Sequence, residues 1–284
     1  MTSAKPRPRA ARVGGTLAAY AVLVVGAALT LGPFVLSVMT SLKTPQQFAT
    51  EPALAAPSPV TGANYAGLFT NGLVDFGHSF AVTAAVVLVV LVGQLAFSIL
   101  AAYAFARVTF PGRDAIFWVY LATLMVPPVV TIIPLYLMMS EGGLRNTFWA
   151  LVLPYVFGSP YAIFLLREYF RGIPQDLIDA ARLDGAGTWR ILTWLVVPLS
   201  RPIIATLAII TVVTHWNNFL WPLIITSRNT WRVITVSTAS LQSQYNGNWT
   251  LVMAATTLAI APLLVLFLVF QKQIVRSIAI TGFK

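Results

Sequence analysis

No cysteine occurs in the chain, which excludes disulfides and thiolate metal sites. Charge is nearly as scarce. Asp, Glu, Lys and Arg make up 9% of its 284 residues, against roughly 25% in soluble domains, and so few charges cannot cover a water-facing surface. Its two histidines, His78 and His215, are far apart and form no metal-ligand spacing. The chain also lacks a G-x-x-x-x-G-K-S/T phosphate cradle, H-E-x-x-H and G-x-S-x-G, and with them the common signatures of ATP hydrolysis, zinc proteolysis and serine catalysis. The eight carboxylates (Glu51, Asp75, Asp114, Glu141, Glu168, Asp176, Asp179 and Asp184) all fall outside or at the ends of the apolar stretches. A proton-coupled carrier buries such groups in its spans. No internal repeat of the secondary-transporter kind is visible.

What the chain does have is apolar length: 58% of its residues are hydrophobic and its mean hydropathy is +0.80. Six charge-free stretches of at least 19 residues stand out: Leu17–Met39, Phe80–Phe105, Ala115–Met139, Phe148–Leu166, Ile203–Thr226 and Thr250–Phe270. About 20 helical residues cross a bilayer's hydrocarbon core, and backbone groups in lipid must bond within their own segment. The expected fold is therefore an all-α polytopic membrane protein with six transmembrane helices. The first stretch follows Lys5, Arg7, Arg9 and Arg12, as in a signal peptide, but it runs 23 residues and ends in no Ala-x-Ala site. A signal h-region is only about 7–15 residues, so a retained span is expected.

A net charge of +10 would suggest nucleic acid in a soluble protein. Here the basic residues report topology, and no nucleic-acid partner is expected. With the N-terminus inside, the inner segments hold Lys5, Arg7, Arg9, Arg12, Arg107, Arg113, Arg167, Arg171, Arg182, Arg190, Arg201, Lys272, Arg276 and Lys284. The outer segments hold only Lys43, Arg145, Arg228 and Arg232. This bias places both termini in the cytoplasm. The organisation expected is a basic cytoplasmic N-terminus over 1–16, a transmembrane domain over 17–271 with a large inner loop over 167–202, and a cytoplasmic tail over 272–284.

That inner loop carries the most information. Pro174 suits a first helical position, and Gln175 to Leu183 reads as a short amphipathic helix with Leu177, Ile178 and Ala181 on one side. Asp176 and Asp179 lie towards its N-terminal end, where the dipole favours anions. Gly185 and Gly187 break it. Thr188 is suited to cap a second helix through Trp189, Ile191 and Leu195 to Pro198. The small side chains of Ala180 and Ala181 suit insertion into a groove on another protein; the alternative is a helix lying on the membrane.

Within the spans, Asn217 and Asn218, and then Gln94, are the polar candidates for a translocation path. Trp216, Phe219 and Trp221 surround the asparagines as sugar-stacking aromatics. Hydrogen bonding between helices is the competing role. Trp118, Trp149 and Trp249 read as interface anchors. Pro127, Pro128 and Pro134 interrupt the third stretch and kink it, for packing or, alternatively, as a gate.

Asp179-Ala180-Ala181, three residues, Gly185, nine residues, then Leu195-Val196-Val197-Pro198 resembles the EAA loop of ATP-binding-cassette import permeases, E-A-A-x3-G-x9-I-x-L-P. Ile173-Pro174 and Asp184-Gly185-Ala186 resemble its carbohydrate branch, the shorter six-span subunit of the maltose-permease kind. Asp179 stands in place of the Glu, and Leu195 and Val197 in place of Ile and Leu. The likeness extends to Ser41-Leu42-Lys43-Thr44-Pro45, Asn64-Tyr65, Arg107 with Phe110-Pro111-Gly112, Met125-Val126-Pro127, Ile133-Pro134-Leu135-Tyr136, Trp216-Asn217-Asn218-Phe219 and the tail from Gln271.

The resemblance implies a bacterial inner-membrane permease paired with a second, homologous permease. It also implies two cytoplasmic ATPase subunits, which bind ATP and Mg while this chain binds no cofactor, and an external solute-binding protein that delivers a sugar. Leu177, Ile178, Asp179, Ala180, Ala181, Arg182, Asp184 and Gly185 would form the ATPase-coupling site, with Asp179 and Gly185 foremost. A phosphorylated polyol or modified sugar is the alternative cargo, although the spans hold no cationic side chains for a phosphate. An autonomous carrier or channel is a further alternative.

Overall fold

The computed structural model describes the backbone of residues 9–70, 74–242 and 247–281, and the side chains of 16–70, 74–242 and 247–271. The cationic side chains of both termini, which the charge bias leads one to expect in the cytoplasm, lie outside these described residues. No strand occurs among them. Four helices are long and apolar enough to cross a membrane, and the count reaches six if each of two sharply bent helix pairs is one span. The chain divides into two units, residues 1–74 with 241–258 and residues 75–240 with 259–284.

The first unit contains α1 (Arg9–Ser41), α2 (Pro45–Thr50) and α3 (Ala63–Thr70). Two sequence fragments from the family resemblance meet here. Asn64 Nδ2 donates to the carbonyls of Ser41 and Lys43 at 2.7 and 2.8 Å, and the Ser41 and Tyr65 hydroxyls are 2.6 Å apart. Lys43 is only 1% exposed. Its ammonium donates to the Pro52 carbonyl at 3.2 Å and lies 3.8 Å from Glu51, which meets the requirement that a buried charge be paired. Thr44 and Gln47 complete a capping box at the start of α2.

The second unit follows with α4 (Phe76–Arg107), α5 (Arg113–Ala122), α6 (Pro128–Glu141), α7 (Phe148–Val156) and α8 (Pro160–Arg171). The segment that follows supplies α9 (Gln175–Leu183) and α10 (Thr188–Leu199). Then come α11 (Arg201–Trp216), α12 (Leu220–Ile225), α13 (Ile234–Gln242) and α14 (Trp249–Thr281), whose first residues belong to the other unit. α4 forms the spine. Towards Arg107 it packs Ala102 and Tyr103 with Phe117, Ile163, Leu166, Phe170 and Leu207. Towards Phe76, Val82, Val86 and Val90 pack with Ala150–Val152, Trp221 and Ile225.

Each break in the apolar stretches has a chemical cause. α5, extended by one turn to Met125, meets α6 at 100°. Pro127 forces Val126 into an extended conformation (φ −80°, ψ 117°), and neither Pro127 nor Pro128 can donate to a helix. Pro134, expected to interrupt this span as well, lies inside α6 without ending it. Between α7 and α8 the backbone groups freed near Gly158 are satisfied by neighbouring helices. The Tyr120 hydroxyl donates to Gly158 O at 2.6 Å, and Ser159 N donates to Ser98 Oγ at 3.1 Å, the compensation that lipid demands.

The fifth stretch is not one helix to Thr226. It ends at Trp216 and resumes at Leu220. Pro222 has no N–H for the Asn218 carbonyl, which instead accepts from the Thr235 hydroxyl at 2.7 Å. The fourth stretch, in contrast, does not stop at Leu166; α8 runs on to Arg171. Arg167 is therefore a helical, buried side chain rather than the first loop residue.

Candidate functional site

α9 spans the residues expected, Gln175 to Leu183, with a small change at each boundary. Pro174 is the residue before the first helical turn rather than within it, and Gly187, not Thr188, precedes α10. The C-terminal end is a Schellman turn: Ala186 N donates to Ala181 O at 2.9 Å and Gly185 N to Arg182 O at 3.0 Å. This turn puts Gly185 at φ +80°, the left-handed region that costs other residues about 1–2 kcal/mol.

The expected single apolar side of α9 divides in two. Ile178 is 1% exposed and Ala181 half-buried against the cluster of Phe170, Ile173, Ile191 and Leu192. Leu177 instead joins Ala180, Asp184 and the 90%-exposed Leu183 on the open side. A 100° turn per residue separates neighbours 177 and 178 enough to place one inside and one outside. α9 is thus held by one face and offers the other.

A polar chain fixes its rotation. Arg107, the last residue of α4, donates from Nη1 to Gln175 Oε1 at 2.7 Å and from Nη2 to the carbonyls of Phe170 and Ile173. Gln175 Nε2 donates to Asp179 Oδ1 at 3.0 Å, and that oxygen lies 3.3 Å from Arg182 Nη1. Nearby, Arg167 Nε donates to Phe105 O at 3.3 Å, its Nη1 to Glu168 at 2.6 Å, and its guanidinium lies 4.0 Å over the Phe117 ring. α10 adds an open groove of about 270 Å³ lined by Ala181, Asp184, Ala186, Arg190, Ile191, Trp194 and Leu195.

The residues proposed for a path separate into two groups. Gln94 is buried; its Oε1 accepts from Thr211 at 3.0 Å and its Nε2 donates to Tyr155 O at 3.3 Å. Trp216 is buried too, donating from Nε1 to Ala259 O at 2.9 Å and packing edge-on to Phe80 at 5.5 Å. Both hold helices together. Trp221 is likewise buried and donates to Ala150 O at 2.9 Å. Asn217 and Phe219 are exposed, and among the described residues the Asn217 amide bonds only back to Val213 O, at 2.8 Å. Asn218 is half-buried beside Tyr155, whose ring lies 4.8 Å from that of His215. Among the described residues no group of three His, Cys, Asp or Glu is placed to hold a metal.

Residues 94–280 match the family described as the binding-protein-dependent transport system inner membrane component. The chain belongs to that family. This permease is 36% identical over 231 residues to the arabinooligosaccharides transport system permease protein AraQ of Halalkalibacterium halodurans, covering 80% of this chain and 81% of AraQ. It is 33% identical over 274 residues to the sn-glycerol-3-phosphate transport system permease protein UgpE of Yersinia pestis, covering 94% and 97%. Its fold matches a chain in the crystal structure of a bacterial ABC transporter involved in the import of the acidic polysaccharide alginate. The TM-score is 0.84 at 22% identity, covering 95% of the permease and 99% of that chain.

Sequence reasoning missed the side chains that orient the permease's α9. Arg107 counted as a topological charge and as part of the first-inner-loop likeness, and Gln175 only as a helix start; Arg167, counted only as a topological charge, ties α8 to α4 rather than orienting α9. Their partners lie more than 60 positions away, beyond any local pattern. The one signal available was that both arginines stand at the very edge of an apolar stretch, where a cation satisfies the last carbonyls of a helix.

Proposed function

We propose that this permease forms half of the translocation path of an ATP-driven carbohydrate importer in a bacterial-type inner membrane, with both termini cytoplasmic. The other half is a second, homologous permease. Two cytoplasmic ATPase subunits bind ATP and Mg and dock below the permease pair, one of them on α9, and an external solute-binding protein delivers the cargo. This chain contributes no enzymatic chemistry. ATP-driven closure of the ATPases moves α9, and the spans alternate between outward- and inward-open states, a bistable element biased by ligands at both ends.

One observation carries the reading: a helix anchored by Ile178 leaves Leu177, Ala180 and Leu183 open to a partner. A groove-seated helix needs this kind of bare face. Asp179, Arg182, Asp184 and Gly185 frame the face, and Ala181 supports it from within. On the solute side, exposed Asn217 and Phe219, with Asn218 beside Tyr155, are the residues offered to cargo.

Because the chain has no cysteine, Asp179→Cys creates its sole thiol. Crosslinking from that position in the assembled complex should capture an ATP-hydrolysing subunit, and consistent failure to do so overturns the assignment. Gly185→Asp should insert normally and lose uptake; uptake at the wild-type level would count against docking through α9. ATPase stimulation by the binding protein loaded from a panel of oligosaccharides should identify the cargo. The likeness to UgpE supports a second reading, a phosphorylated polyol, and glycerol phosphate belongs in the same panel.

A further inference from the structure

We propose that Arg107 is the positioning residue that locks the coupling helix to the spine of the permease, so that movement of α9 is passed directly to α4. The inference rests on the coupling role given to α9 above and adds to it a residue and a route.

α9 has two attachments of different physical character. Ile178 and Ala181 seat it in an apolar cluster. That attachment is strong but non-directional, since apolar burial depends on area removed from water and not on angle. A helix seated only in this way can roll. The second attachment is directional. The planar Arg107 guanidinium is bonded at once to the carbonyls of Phe170 and Ile173 and to Gln175, so it grips the end of α8, the turn after it and the first residue of α9. Gln175 extends the grip along α9 to Asp179, and Asp179 meets Arg182. The exposed Asp179–Arg182 pair alone contributes little. Its value is geometric: the pair continues one chain of bonds from the end of α4 across the face of α9.

Arginine suits this position for a reason lysine does not share. Its donors lie in a fixed plane and serve three acceptors on different sides at once, whereas an ammonium is a compact point charge on a flexible stem. α4 is also the helix that the rest of the unit packs around. Gln94 bonds to α7 and α11 from the same helix. A rotation imposed on α9 therefore enters α4 at Arg107 and reaches the neighbours of Gln94, including the segment that holds Asn218.

The complete complex, with its ATPase subunits, second permease and loaded binding protein in liposomes, gives the test. The quantity to measure is solute taken up per ATP hydrolysed, which loss of folded protein alone does not change. Arg107→Gln should lower that ratio about tenfold, the scale of losing charge-assisted hydrogen bonds. Arg107→Lys should restore part of it, and Gln175→Ala should lower it less than Arg107→Gln. A wild-type ratio in Arg107→Gln overturns the proposal. If Arg107→Gln does not assemble, Gln175→Ala decides: a lowered ratio supports the lock and an unchanged one overturns it. Absence of uptake by the wild-type complex would instead sink the importer reading itself.

Discussion

α1 and α4 are almost equally apolar, with mean hydropathies of 2.3 and 2.6 over their most apolar stretches, yet none of that stretch is buried in α1 and 28% is buried in α4. Hydropathy reports the solvent a helix can enter, and lipid is as apolar as leucine. Association between helices within a bilayer depends instead on small residues that allow close approach and on polar side chains that bond across. α4 has both. Gly93, Ser98 and Ala102 lie along its packed sides, with Gln94 among them. α1 also has glycines, but Gly26 and Gly32 face open space in their unit.

The glycines offer the strongest way to break this comparison. A Cβ at Gly93 would stand 2.3 Å from Val156 Cγ2 and 2.8 Å from the Val156 carbonyl, and the second of these is backbone that cannot swing away. Gly93→Ala should cost about 1–3 kcal/mol by overpacking, and Gly93→Leu should leave no monodisperse protein after extraction. Gly26→Leu should leave the thermal midpoint in detergent unchanged. If the Gly26 variant proves as damaging, the open face of α1 is a contact surface, and the contrast drawn here fails.

A smaller effect is expected at Gly185. Nothing lies within 4 Å of an added Cβ there, so the cost is that of the backbone alone. Gly185→Val should destabilise by about 1–2 kcal/mol, and Gly185→Asn by much less, because asparagine tolerates the left-handed conformation at a helix end. Thermal unfolding of the two variants side by side should give that order. Equal losses would place the cause in a partner's surface rather than in the turn.

This contrast also explains what could be read from the chain before its structure. Segments whose ends are marked by local chemistry were legible. α9 lies between Ile173-Pro174 and the Asp184-Gly185 turn, and its span differs from the expected one only in leaving Pro174 outside the first turn. The first, second, fourth and sixth apolar stretches were legible as spans because the bilayer sets their length, whereas the third is bent by 100° and the fifth ends at Trp216. The inside and outside of α9 were not, because Leu177 and Ile178 are equally apolar and only the cluster around Phe170 and Ile191 distinguishes them. Nor was the break at Asn217, since a helix can carry asparagine; Pro222 leaves the Asn218 carbonyl without a helical donor, and the Thr235 hydroxyl that serves it instead lies 17 positions from Asn218. The Arg107 clamp joins residues 63 to 68 positions apart, and no periodicity records such a contact.

The polar side chains of α4 add a second difference from α1. Gln94 serves two helices, accepting from Thr211 on α11 and donating to Tyr155 on α7. Bonds of this kind within a bilayer are each worth about 0.6–2 kcal/mol. Gln94→Leu should lose both and lower the unfolding free energy by about 1–2 kcal/mol, while Thr211→Val loses one. A double-mutant cycle should show less than additive loss, because the two residues share a bond. Full additivity would mean that they do not meet.

Asn217 is the complementary case, and it should show a smaller change in stability than Gln94. Its amide returns to the Val213 carbonyl of its own helix and, among the described residues, reaches no other element. Such a bond competes with the helix rather than supporting the fold, so Asn217→Ala should move stability by no more than about 0.5 kcal/mol, as exposed substitutions generally do. Function provides the discriminating measurement. If Asn217 meets the cargo, removing its amide should reduce uptake by about tenfold, the scale of one unmade hydrogen bond, while the thermal midpoint stays fixed. Gln94→Leu should show the reverse pattern, a lowered midpoint with uptake falling only as folded protein is lost. An Asn217→Ala permease with wild-type uptake would remove the residue from the path and leave Phe219 and Asn218 as the groups at this break offered to solute.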